Sequence, residues 1–304
     1  MSGDWFTVTA AVEDFAVVPP FEVRRAAEQR VPFVFSSPHS GRFYPDRFLA
    51  MTKLDANAIR RSEDCYVDEL FGGAVALGAP MLAANFPRAY LDANREPWEL
   101  DPRMFAEPVP PYCNIRSARV AGGLGTVPRL VGEGLDIYAG RLPLDEATGR
   151  IEAVYKPFHE ALKRLVTATH AAFGFAVLVD CHSMPAGIRV GDSGLRPDFI
   201  VGDRFGTSAA AALTETAIAL LSGMGYTAAH NKPYAGGFIT EHYGRPARRL
   251  HALQIEVNRG LYMNERTLRK SAGFDALADD LTRFSADLMA MPDHAFADFP
   301  IAAE

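Results

Sequence analysis

The stretch Phe175-Ala176-Val177-Leu178-Val179-Asp180-Cys181-His182-Ser183 decides the fold class. It is a continuous apolar run, rich in valine, that ends in Asp, His and Ser. Such a run, preceded by a helical pattern, reads as a buried central strand of a parallel or mixed sheet. Side chains alternate across a strand, so Asp180 and His182 share one face at its carboxyl end. Open α/β sheets bind their ligands there. A neutral imidazole at that place is a metal ligand, and a carboxylate two residues back is placed to orient it. A buried histidine satisfied by hydrogen bonds is the plain alternative. The rest of the chain has to decide.

Working outward, residues 151–173 read as the helix that leads into this strand, and residues 31–37 as a second strand ending in Pro38-His39-Ser40-Gly41. Residues 64–77 carry helical spacing at Val67, Leu70, Phe71 and Ala74, with Gly78 as the stop and Glu63 and Asp64 at the start, where carboxylates favour a helix N-terminus. Met81 opens another strand that is expected to run on to Arg95. Residues 96–149 are rich in Pro, Gly and charge, which indicates a loop, lid or extra hairpin. Downstream come a strand at 197–203, a helix at 208–224 with Ser208 as cap, a strand at 226–233, the glycine pair Gly236-Gly237, a strand at 251–258 and a helical region from 264 to about 291. Alternating strands and helices give one α/β domain over 1–304, three-layer α/β/α around a mixed, largely parallel central sheet, with 96–149 as an insertion.

The 304 residues are 48% hydrophobic, enough for a large core, and the formal net charge of −6 argues against a nucleic-acid partner. Cys65, Cys113 and Cys181 are far apart and form no CxxC pair, so neither disulfides nor a thiolate zinc site are supported. No apolar run reaches membrane length and no leader pattern opens the chain, so the expectation is a cytoplasmic protein with no membrane partner.

The polar residues at predicted strand ends are His39, Asp64, Arg88, Asn94, Arg95, His182 and Glu256. Two histidines and one carboxylate, with a fourth position open, are the protein ligands of a catalytic zinc hydrolase. Other divalent first-row metals suit the same donors. Such a site needs a separate carboxylate as general base, and Glu256, between Ile255 and Val257, is placed for it, with burial expected to raise its pKa. Arg95, beside Asn94, offers a fork for a substrate carboxylate, and Arg88 a donor to substrate or carbonyl oxygen. Thr240 and His242, following the glycine pair, are candidates on a closing loop.

Pro38-His39-Ser40-Gly41, Glu63-Asp64-x-x-Val67-Asp68-x-Leu70, Asp92-Ala93-Asn94-Arg95, Asp180-Cys181-His182-Ser183, Gly236-Gly237-Phe238-Ile239-Thr240-x-His242-Tyr243-Gly244 and His251-Ala252-Leu253-Gln254-Ile255-Glu256 together resemble the N-formylglutamate amidohydrolase family. The resemblance implies a zinc-carboxypeptidase-like fold and hydrolysis of N-formyl-L-glutamate to formate and L-glutamate, in histidine degradation. It implies His39, Asp64 and His182 as metal ligands, Asp64 being preferred to Glu63, and Glu256 as base. Phe238 stands where family members can carry histidine and Glu241 where they can carry arginine, and residues 96–102 differ from shorter versions. These departures leave open a related N-acyl amino acid deacylase of other specificity.

Two rival readings fit the residues less well. Gly191-Asp192-Ser193-Gly194 mimics a serine-protease nucleophile motif, but that chemistry sits on paired β-barrels and no Gly-x-Ser-x-Gly elbow exists. A non-catalytic metal-binding protein would have no need of Glu256 beside the ligands.

Overall fold

The computed structural model describes residues 10–132, 134–190 and 194–296. Gly191-Asp192-Ser193 lies outside them. The central run forms β4 (Ala176–Met184), buried at all nine positions, which is why it shows no polar alternation. Burial of each Val or Leu there contributes about 1.5–3 kcal/mol. With β1 (Phe21–Arg24), β2 (Phe33–Ser37), β3 (Met81–Ala84), β5 (Phe199–Gly202), β6 (Ala228–His230) and β7 (Leu250–Asn258) it makes a seven-stranded sheet ordered β1-β3-β2-β4-β7-β5-β6. The β2–β3, β2–β4, β4–β7 and β5–β6 pairs are parallel, and β5–β7 is antiparallel. The fold is mixed α/β with a largely parallel sheet.

The chain packs as two compact units. One, built from Val23–Ser37, Tyr66–Ala83 and the described part of 162–304, carries the centre of the sheet. Its β4–β7 register pairs Asp180 with Gln254 and His182 with Glu256, so four polar side chains stand together on one face. Helix 211–223 and helix 274–289 belong to the same unit; in the latter Leu277, Leu281, Phe284 and Leu288 recur at helical spacing and are buried.

Several expectations about elements need correction. The helix foreseen over 64–77 is two single turns, α1 (Val67–Leu70) and α2 (Gly73–Ala76). Tyr66, at φ 64°, precedes α1 in the left-handed region, so Glu63 and Asp64 sit outside any helix and cap nothing. Ser208 is not a cap: helix 211–223 starts after Ala210, and the Ser208 hydroxyl donates to Ala252 O. A two-stranded hairpin at Met263–Asn264 and Arg269–Lys270 delays the last helix to Phe274.

The other unit comprises the described part of 1–22 with Pro38–Cys65 and Ala84–Ala161. Here β3 stops at Ala84, and residues 85–95 form turns, not the continued strand foreseen. They are fastened by side chains and by Asp92 N–H donating to Thr126 O at 2.8 Å. Within 96–149, Pro102–Met104 and Ala118–Ala121 are short helical turns, and Gly122 closes the second. The helix foreseen from Ile151 begins earlier, as α3 (Leu144–Arg150), passes through a π-helical segment (Ile151–Tyr155), and continues as α4 (Lys156–Phe173). Arg150 donates to Tyr90 O at 3.0 Å and Tyr155 OH to Arg95 O at 2.7 Å, holding the irregular 90–95 segment by its carbonyls.

Candidate active site

His39 follows the end of β2 on the tight Pro38–Gly41 turn. A Cβ on Gly41 would stand 2.0 Å from Phe86 O, so only glycine lets this turn lie on the 85–86 backbone. His39 is 1% exposed, and its Nε2 meets Asp92 Oδ1 at 2.7 Å. Its Nδ1 lies 3.4 Å from Asp64 Oδ2, while Asp64 N–H donates to His39 O at 2.9 Å. The neighbouring Glu63 is engaged elsewhere, taking two 2.8 Å bonds from Arg60 and one from Tyr44 at 3.2 Å. Asp64 is therefore the carboxylate of the pair that stands at the histidine.

On β4, His182 Nε2 meets Asp180 Oδ2 at 2.8 Å, both side chains buried. Both histidines thus set Nε2 against a buried aspartate, the arrangement that fixes tautomer and ring direction in metal-binding histidines. His39, Asp64 and His182 form a buried group whose ligand atoms all lie within 4.8 Å of one another. Ligand bonds of about 2.0–2.1 Å at tetrahedral angles put neighbouring donors roughly 3.3 Å apart, close to the 3.4 Å between His39 Nδ1 and Asp64 Oδ2. The donor set fits a divalent metal such as zinc.

Glu256 is 7% exposed and is the register partner of His182. Its Oε1 accepts from Gln254 Nε2 at 2.8 Å, and Gln254 Oε1 accepts from Gly237 N–H at 2.8 Å. Gly237 leads into the short helix Phe238–Tyr243. The structure therefore makes a helix where a loop was foreseen. On it Thr240 is fully buried, with no hydrogen-bond partner for Oγ1 among the described residues. His242 lies on the exposed side, stacked on Phe238 at 4.9 Å between ring centroids. Burial, followed by Arg245 and Lys163, lowers its pKa. Glu241 pairs with Arg204 at 2.6 Å.

Asp92 is the hub of the remaining candidates. It accepts from Arg88 Nε at 3.0 Å and from Asn94 N–H at 2.9 Å, and Arg95 Nη2 stands 3.5 Å away. Burial works to raise its carboxyl, but Arg88, Arg95 and His39 outweigh it and hold Asp92 well below the usual carboxylate range. Arg95 is itself pushed down to about 10, by burial above all and against the pull of Asp92. It also donates to Leu124 O at 2.9 Å and to Asn94 O at 2.8 Å.

Sequence reading passed over two residues that organise this site, Asp92 and Gln254. Each had a signal. Asp92 lies four residues after Arg88, and Gln254 two before Glu256 on one face of a buried strand, where an amide needs partners.

Residues 31–263 match the family model described as N-formylglutamate amidohydrolase. The chain is 30% identical over 239 residues to an N-formylglutamate deformylase of Pseudomonas putida, covering 78% of this chain and 83% of the relative. It is 30% identical over 247 residues to one of Pseudomonas aeruginosa, covering 80% and 86%. Among solved structures, an N-formylglutamate amidohydrolase from Ralstonia eutropha JMP134 superposes with a TM-score of 0.84 at 34% identity, covering 89% of this chain and 97% of that one. The gene product Atu2144 from Agrobacterium tumefaciens shares the fold at a TM-score of 0.64 and 18% identity, covering 89% and 95%.

Proposed function

This chain belongs to the N-formylglutamate amidohydrolase family, and on that premise we propose that it is a metal-dependent amidohydrolase cleaving N-formyl-L-glutamate to formate and L-glutamate. The observation that carries the reading is the buried His39–Asp64–His182 group with each histidine backed by an aspartate. His39, Asp64 and His182 would hold zinc or another divalent first-row ion, which supplies Lewis acidity toward the scissile carbonyl. Glu256 takes the proton from the attacking water and returns it to the departing nitrogen. Arg88 donates to the carbonyl oxygen as charge develops on it.

Arg95, beside Asn94, reads a substrate carboxylate. A guanidinium carries five N–H donors, and the three contacts to Asp92, Asn94 O and Leu124 O leave others for a ligand. Thr240 and His242 are the further substrate contacts. The same reading takes 1–304 as one catalytic domain of three-layer, zinc-carboxypeptidase-like kind with 96–149 as lid or insertion. It also places the enzyme in the cytoplasm, in histidine degradation; no helix of the described residues is long and apolar enough to cross a membrane. A neighbouring reading, a deacylase for another N-acyl amino acid, draws support from Phe238 and from Glu241, paired with Arg204, two departures from the family resemblance.

The test is a turnover panel on zinc-loaded protein, varying acyl group and amino acid separately, with chelator controls. N-formylglutamate as preferred substrate, with loss on chelation, supports the reading. Turnover that survives full metal removal ends it. Arg95→Lys keeps charge and loses the planar fork, so it should lower kcat/KM by ~1–3 kcal/mol on the acid and far less on its uncharged amide.

A further inference from the structure

We propose that Gln254 is a positioning residue, one amide that fixes the Glu256 carboxylate and the glycine segment before Thr240 in a single register. The inference rests on the reading of Glu256 as base. Gln254 is 4% exposed and stands on β7 two residues before Glu256, on the same face.

Its two ends are assigned by chemistry. Gly237 offers a backbone N–H, which can only donate, so the side-chain atom 2.8 Å away is the carbonyl oxygen. The amide NH2 is thereby turned toward Glu256 Oε1, also at 2.8 Å. Exchanging the two ends would set the amide NH2 against the Gly237 N–H and the amide oxygen against the Glu256 carboxylate.

The segment Gln254 holds is also seated from the sheet. Gly202 of β5 is the register partner of Gln254, and a Cβ there would lie 2.7 Å from Ala235 C and 2.9 Å from Gly236 N. The backbone of 235–237 therefore lies close against paired positions of β5 and β7. Three residues beyond Gly237 comes Thr240, whose buried hydroxyl has no partner among the described residues. A hydroxyl in that state is held for a ligand or a water. The group that receives substrate at Thr240 and the group that receives the proton at Glu256 are tied to the same amide. A displacement of either spoils the alignment of the reacting atoms, which can cost about 10²-fold in rate.

Two variants test this. Gln254→Met keeps the length and removes both hydrogen bonds. Gln254→Glu keeps an acceptor for Gly237 and sets a second carboxyl, in place of the neutral amide donor, against Glu256. With metal content equal to wild type, both should lower kcat about 10- to 100-fold while KM moves less than about threefold. Hydrogen exchange at the Gly237 amide should accelerate in Gln254→Met and stay protected in Gln254→Glu. Unchanged kcat in both variants, a loss confined to KM, or loss of metal in both overturns the proposal. If wild type turns over no N-acyl amino acid, the functional reading fails on its own. Exchange at Gly237 then still decides, because an unchanged rate in Gln254→Met means Gln254 does not hold the segment.

Discussion

His182 takes its orientation from Asp180, two residues earlier on the same strand, whereas His39 takes it from Asp92, 53 residues further along the chain. The bond lengths are nearly the same, 2.8 and 2.7 Å. The support behind them is not. Asp180 needs only the pleat of β4 to face its histidine. Asp92 lies on an irregular segment, and Arg88, Arg95 and the Asn94 amide keep its carboxylate in place. A regular strand positions a side chain through its pleat alone, while this turn does so through several explicit bonds from residues close by in sequence. A third buried histidine, His251 on β7, accepts at Nδ1 from Ala210 N–H at 3.2 Å.

The largest effect expected on this comparison is from His182→Ala, which should remove most bound metal and activity together while the fold survives. Elemental analysis checks it, and full metal in the variant breaks the equivalence of the two histidines. Next comes Glu256→Gln, which should keep the metal and lose about 10²–10⁴-fold in kcat. Near wild-type turnover would put the base elsewhere.

The comparison itself is sharpest in the pair Asp180→Asn and Asp92→Asn. Each should cost ~10–100-fold in metal affinity or activity. Asp92→Asn should be the worse of the two, and should also lower the melting temperature, because it leaves Arg88 and Arg95 without their shared carboxylate. Equal losses in both would mean that the wider network around Asp92 contributes nothing.

The last prediction leaves activity at neutral pH alone. Burial lowers His251 to about 4, with Arg249 adding a little against the Phe296 backbone. Its folded pKa is below the ordinary value near 6.5, so the unfolded chain binds the extra proton first. Stability from this residue is therefore present above about pH 6.5 and is lost as pH falls toward about 4, by about 3 kcal/mol in all. His251→Gln keeps an acceptor for Ala210 and should flatten that part of the stability curve. Parallel wild-type and variant curves between pH 4 and 6.5 would show that the imidazole is not buried neutral.

What was legible in the sequence follows the same division. β4 and β7 could be read because burial on both faces writes itself as dense Val, Ile, Leu and Ala, in which Asp180, His182 and Glu256 stand out. His39 could be read from the Pro and Gly that shape its turn. The 85–95 segment was misread as strand because Tyr90, Leu91 and Ala93 are apolar and buried, yet their burial comes from turns, which leave no period. Asp92's role was hidden because the histidine it meets, His39, is 53 residues away, while Arg88, Asn94 and Arg95 all lie within four residues of it. For Glu63 and Asp64 capping and metal binding both stood open, because carboxylates before an apolar period look alike whether they cap or bind. Only Arg60, taking Glu63 with two bonds, separates their duties.

The π-helical segment 151–155 has a consequence for that turn-rich stretch. In an α-helix, residues five apart point about 140° away from each other. In a π turn, residues five apart are the hydrogen-bonded neighbours and stack along the axis. Arg150 and Tyr155 are such a pair, and the carbonyls they grip, Tyr90 O and Arg95 O, are also five residues apart. The widened turn is a gauge cut to the spacing of its workpiece. An ordinary α-helical pitch through these residues would swing one of the two grips aside and release one end of the segment that carries Asp92, Asn94 and Arg95.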